Sequence, residues 1–64
     1  MNTYYVGLSG VNDVDGRKKA IDLVQLSTIH SYNQITDEYR VMTGLTPEEF
    51  RALPWPDGCR FRFS

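Results

Sequence analysis

Cysteine and histidine are nearly missing from this chain: Cys59 is the one thiol and His30 the one imidazole in 64 residues. A single cysteine forbids an internal disulfide framework and fits a reducing compartment, so a cytoplasmic setting is expected. One Cys and one His also fall short of the four ligands of a structural zinc site, and no metal or cofactor is expected. No apolar run approaches the ~18 residues of a spanning helix, and the N-terminal MNTYYVGLSG lacks the basic-then-apolar layout of a signal peptide. A membrane role is not expected. Repeats and low-complexity tracts are absent, and GLSG is too short, and lacks the lysine, to be a phosphate loop. Basic charge is not in excess, since the formal net charge is −1.

What is present points to a folded domain. The chain is 41% hydrophobic and 12% aromatic, too apolar and too weakly charged for disorder. Its length allows one domain, residues 1–64, with a thin stability margin, because a chain this small buries only ~60% of its unfolded surface. Charge is segregated along it: Asp13 and Asp15 precede the basic knot Arg17-Lys18-Lys19, residues 20–49 carry five acids against Arg40, and Arg51, Arg60 and Arg62 turn the tail positive against Asp57.

Thr3–Ser9 reads as a strand, with Tyr4, Val6 and Leu8 on one face. VNDVDG is turn chemistry. The stretch 17–27 is read as a second strand forming a hairpin with the first, because as a helix it places three basic residues in its first turn, against the macrodipole. The rival is a helix over 17–30. Ser31 and Gln34 spell a capping box, and Tyr32, Ile35, Tyr39 and Met42 recur at helical spacing up to Gly44, a left-handed stop. Thr46-Pro47-Glu48-Glu49 starts a second short helix that Pro54 ends. Pro56-Asp57-Gly58 is a turn, and Cys59, Phe61 and Phe63 alternate with Arg60 and Arg62 in a final strand. The predicted class is α+β: a β-hairpin, two short helices joined by a tight glycine turn, and a C-terminal strand.

Candidate chemistry is sparse. Against a calcium loop, Asp13, Asp15, Gly16 and Asp22 fall on the right positions, but Val11 occupies the first and three cations follow, so a polar turn is the better reading. Nucleophilic catalysis needs an activated nucleophile beside a base. His30 and Cys59 lie far apart in sequence, and Cys59 alternates with core phenylalanines, so no enzyme is expected.

The run EYRVMTGLTPEEFRAL, within 35–53, resembles the helix-turn-helix of bacterial DNA-binding proteins: a helix, a glycine turn, an apolar residue and a capped second helix. That resemblance implies a transcriptional regulator reading DNA with its second helix. Pro47, Glu48 and Glu49 would then approach the phosphates, which weighs toward a packing corner. In size and style the chain also resembles the small accessory proteins of phages and mobile elements, such as anti-CRISPR proteins and other host-enzyme inhibitors. This implies a viral protein that covers a surface of a larger host protein or nucleoprotein complex.

Protein binding is accordingly the expected function, with Tyr5, Arg17, Lys18, Lys19, Trp55, Arg60 and Arg62 as partner-binding residues. If the basic knot and the tail arginines lie side by side, they form one patch for an acidic partner. Trp55, between Pro54 and Pro56, reads first as a lid on the core and second as an interface anchor. A structural subunit or homodimer, with an edge strand completing a partner sheet, is the third class.

Overall fold

A computed structural model describes residues 1–27 and 29–63. Its elements run β1 (Asn2–Gly7), α1 (Val14–Gln25), β2 (Ile29–Asn33), β3 (Glu38–Thr43), α2 (Pro47–Arg51) and β4 (Arg60–Phe63). The four strands form one antiparallel sheet in the order β2-β3-β1-β4. β1 and β2 each run antiparallel to β3, so α1 joins two parallel strands across an intervening one. This is the split β-α-β arrangement of ferredoxin-like domains. The class is α+β, as the sequence predicts.

The core forms where one face of the sheet meets both helices. β1 contributes Tyr4 and Val6, and Leu8 follows directly; all three are buried, as their period-two spacing requires. Val41 comes from β3, Ala20 and Val24 from α1, and Phe50 from α2. The Tyr4 ring lies 4.6 Å from that of Phe50, and its hydroxyl donates to the Leu45 carbonyl, so the buried phenol keeps a partner. The Cα radius of gyration, 10.6 Å, is that of a compact chain of this length.

Residues 17–27 are not a strand; most of them belong to α1. The helix begins at Val14, upstream of the basic knot, with Asp13 as N-cap accepting from the Gly16 amide at 2.8 Å and Asp15 in the first turn. Arg17, Lys18 and Lys19 therefore lie beyond the first amides, and the macrodipole does not oppose them. Gly16, Ala20 and Val24, four residues apart, make the buried stripe. This stripe is the side of the helix that faces the core.

Residues 31–43 are not a helix. They form the β2–β3 hairpin. Asn33 Oδ1 accepts from the Ile35 and Thr36 amides at 2.9 and 3.4 Å, an Asx turn that competes with helix start. Asp37 follows with φ of 54°, a left-handed residue that ends the turn. Beyond it Tyr39 and Val41 face the core while Glu38, Arg40 and Met42 face away, and the pattern has period two. The helix-turn-helix of 35–53 therefore does not form: its first helix is β3. Gly44 has no positive φ and open space around it, so it is not a left-handed stop.

The second half follows the sequence more closely. Thr46 and Glu49 make both halves of a capping box, at 3.2 and 2.9 Å, with Pro47 in the first turn. Phe61 and Phe63 pack on the core while Arg60 and Arg62 stay exposed. Trp55 closes the core from the loop after α2. Its indole N–H donates to the Phe50 carbonyl at 2.7 Å, and its ring lies 5.1 Å from Phe50 and 5.5 Å from Phe61.

Candidate functional site

Both helices cover the same face of the sheet, which leaves the other face open. Strand alternation decides what that face carries. Tyr5 is opposite Arg40 on β3 and Arg62 on β4, and Gly7 is opposite Glu38 and Arg60. β2 adds Ile29, Ser31 and Asn33 beside Met42, Arg40 and Glu38. The open face thus holds three arginines, one glutamate and one tyrosine on a neutral background.

Arg62 spans this face. Its guanidinium lies 4.4 Å from the centre of the Tyr5 ring and donates to Glu38 through Nε at 3.1 Å and a terminal nitrogen at 2.9 Å. The planar fork satisfies the carboxylate and the aromatic face together. Arg62 holds the Glu38 carboxyl below its ordinary value through these hydrogen bonds. Arg40 and Arg60 are exposed and have no ion-pair partner among the described residues. A shallow depression of about 270 Å³ lies between Tyr5, Ser31, Asn33, Glu38 and Arg40, with Tyr32 at its rim.

A second charged constellation ties the layers together. Arg17 of α1 donates to both oxygens of Asp37, at 3.0 and 2.9 Å, and to the Leu8 carbonyl at 3.0 Å. Tyr32 Oη donates to the same carboxylate at 2.6 Å. Arg17, then Tyr32, hold the Asp37 carboxyl below its ordinary value, and the carboxylate in turn raises that of the Tyr32 hydroxyl. Here the cation is used inside the fold rather than offered outward.

Of the predicted partner-binding residues, the fold brings Tyr5, Arg60 and Arg62 onto the open face. Arg17, Lys18 and Lys19 sit on α1, in the opposite layer, so the basic knot and the tail arginines do not form one patch. Trp55 packs on the core as a half-buried lid. Arg40 and Glu38 join Tyr5, Arg60 and Arg62 there; reading 31–43 as a helix hides this face, and the alternation of Glu38-Tyr39-Arg40-Val41-Met42 is the sequence signal for it. His30 lies on edge strand β2 and Cys59 precedes β4 at the opposite edge, so the two are not brought together. Burial raises the Cys59 thiol above its ordinary value. The Asp13 carboxylate, set against a calcium loop by sequence, caps α1 instead.

Among the described residues no group of three or more His, Cys, Asp or Glu side chains is placed to hold a metal ion. No helix among them is long and apolar enough to cross a membrane. The chain matches no protein-family model, no curated protein and no solved structure.

Proposed function

We propose that this chain is a small non-catalytic binding module that presents the open face of its sheet to an acidic surface of a larger protein. It covers that surface in the manner of an accessory or inhibitor protein, in a cytoplasmic setting that suits its single thiol. The observation that carries this reading is the different charge balance of the two layers. Arg40, Arg60 and Arg62 share the open face with Glu38 alone, whereas in the helical layer Asp13, Asp15, Asp22, Glu48 and Glu49 outnumber Arg17, Lys18, Lys19 and Arg51. A chain of net charge −1 thus offers one cationic side. Complementary potential steers encounter and fixes orientation. Arginine and tyrosine supply contact area at low conformational cost and are enriched among binding hot spots.

Affinity capture from lysate tests the reading when wild type is compared with two variants. Arg40→Glu with Arg60→Glu reverses the open face, and Lys18→Glu with Lys19→Glu reverses charge on α1. The expected result is one protein retained at stoichiometric level after nuclease treatment, lost with the first variant and kept with the second. Capture that vanishes with nuclease, or that follows the α1 variant, overturns it.

A further inference from the structure

The two edges of the sheet are built differently. β4 carries Arg60 and Arg62, whose charge discourages another strand from adding alongside. β2, Ile-His-Ser-Tyr-Asn, carries no Lys, Arg, Asp, Glu, Pro or bulge, and every residue in it is exposed. Ile29 is 45% and Tyr32 44% exposed, and Ile35, in the turn that follows, is 95% exposed.

The direction of the backbone groups along this edge follows from one hydrogen bond. The Leu8 amide donates to the Asp37 carbonyl at 2.9 Å, so the backbone group of Asp37 faces β1. Alternation sends those of Glu38, Arg40 and Met42 to β2, where they meet Asn33, Ser31 and Ile29. The backbone groups of His30 and Tyr32 are therefore left on the free edge.

We propose that β2 is a dimerisation edge, pairing antiparallel with the β2 strand of a second copy about a two-fold axis at Ser31. In that register His30 of each copy meets Tyr32 of the other, and their free backbone groups complete four hydrogen bonds. Ser31 meets Ser31 as the pair without hydrogen bonds. A two-fold axis sets each residue near it against its own copy or a close neighbour, so a charged strand would repel itself. β2 contains no acid, lysine or arginine. The nearest like charges on the shared face, the two Arg40 side chains, are separated by three strand spacings, about 14 Å, beyond the ~8–10 Å screening length. A copy of the same chain is the occupant this edge suits, since two-fold pairing sets no acid, lysine or arginine of β2 against its own copy and lays the exposed Ile29 and Tyr32 of each strand beside the other. The two sheets then form one, with both open faces on the same side.

Sedimentation velocity of the full chain over rising concentration, together with Ser31→Cys, tests the proposal. Cα atoms in an antiparallel pair without hydrogen bonds lie ~4.5 Å apart, within disulfide reach. Mild oxidation is expected to give a covalent dimer whose peptide map shows a 31–31 bond, while Ile29→Cys, opposite Asn33, gives none. His30→Pro removes an N–H that the monomer does not use. It is expected to keep the wild-type circular dichroism while weakening association about tenfold or more. Should proline disturb the fold, Ser31→Lys does the same work by setting two ammonium groups face to face. A wild type that stays monomeric, including one whose edge pairs only with a strand of another protein, overturns the proposal. So does a dimer that survives His30→Pro and Ser31→Lys or fails to form the 31–31 bond.

Discussion

Asp37 shows how much one side chain can do in a chain this small. Its backbone takes the left-handed conformation that Asp and Asn tolerate, and its carbonyl accepts from Leu8. Its carboxylate accepts from Arg17 of α1 and from Tyr32 of β2, so a turn, a helix and an edge strand meet on one residue. Asp37→Asn keeps the turn tolerance and removes the charge. The expected loss at neutral pH is about 1 kcal/mol in urea unfolding, modest because the pair is partly exposed to solvent. The pH dependence has a definite sign. The folded-state carboxyl lies below its ordinary value. Its contribution is therefore complete above the ordinary carboxylate range, about pH 4, and is lost as pH falls through the lowered value. The gap between wild type and variant is expected to close in acid.

At the scale of elements, two glycines that punctuate the sequence alike have different duties. Gly58 has φ of 97° and abuts Gly10, where the chain leaving β1 crosses the turn that enters β4. A Cβ on Gly10 would lie 2.5 Å from the Gly58 carbonyl oxygen, and one on Gly58 would overlap the Gly10 carbonyl. Gly44, between β3 and α2, has nothing within 4 Å of an added Cβ. Gly58→Ala is expected to cost about 3 kcal/mol from strain and overlap, against a change within about 0.5 kcal/mol for Gly44→Ala. Thermal unfolding of the pair checks this directly. A helix-turn-helix would require the opposite ranking, since its turn glycine is the one that has to be left-handed.

For the molecule as a whole, the same sheet serves two purposes. One face, with Tyr4, Val6, Val41, Phe61 and Phe63, holds the helices; the other, with Tyr5, Arg40, Arg60 and Arg62, faces solvent. Because Arg40 and Arg60 have no ion-pair partner among the described residues, the fold does not rest on them. Arg40→Glu with Arg60→Glu is therefore expected to change unfolding free energy by less than about 1 kcal/mol, measured by urea titration, although it reverses the face. A large loss of stability would mean that the open face is structural rather than offered to a partner.

The parts legible in the sequence are those whose signals are local. β1 and β4 show their period-two alternation because each has one face on the core, and α2 shows its start because Thr46, Pro47 and Glu49 satisfy amides within a single turn. Cys59 reads as a packed thiol for the same reason. The middle of the chain does not yield to such reading. Tyr32, Ile35, Tyr39 and Met42 fit a helical stripe as well as a hairpin, and the choice falls to contacts made elsewhere: Asn33 on its turn amides, Asp37 on Arg17, and β3 against β1. The stretch 17–27 resolves to a helix through Asp13, upstream of it, and through the burial of Gly16, Ala20 and Val24 on the core side. The open face exists only in the folded chain, since Tyr5, Arg40 and Arg62 come from three strands that hydrogen bonding sets side by side. Sequence alone determined the α+β class, the strands at both ends and the pairing of core with alternate residues, because those depend on near neighbours. Tertiary structure decided which arginines stand together, because that depends on strand order and register, which no single segment encodes.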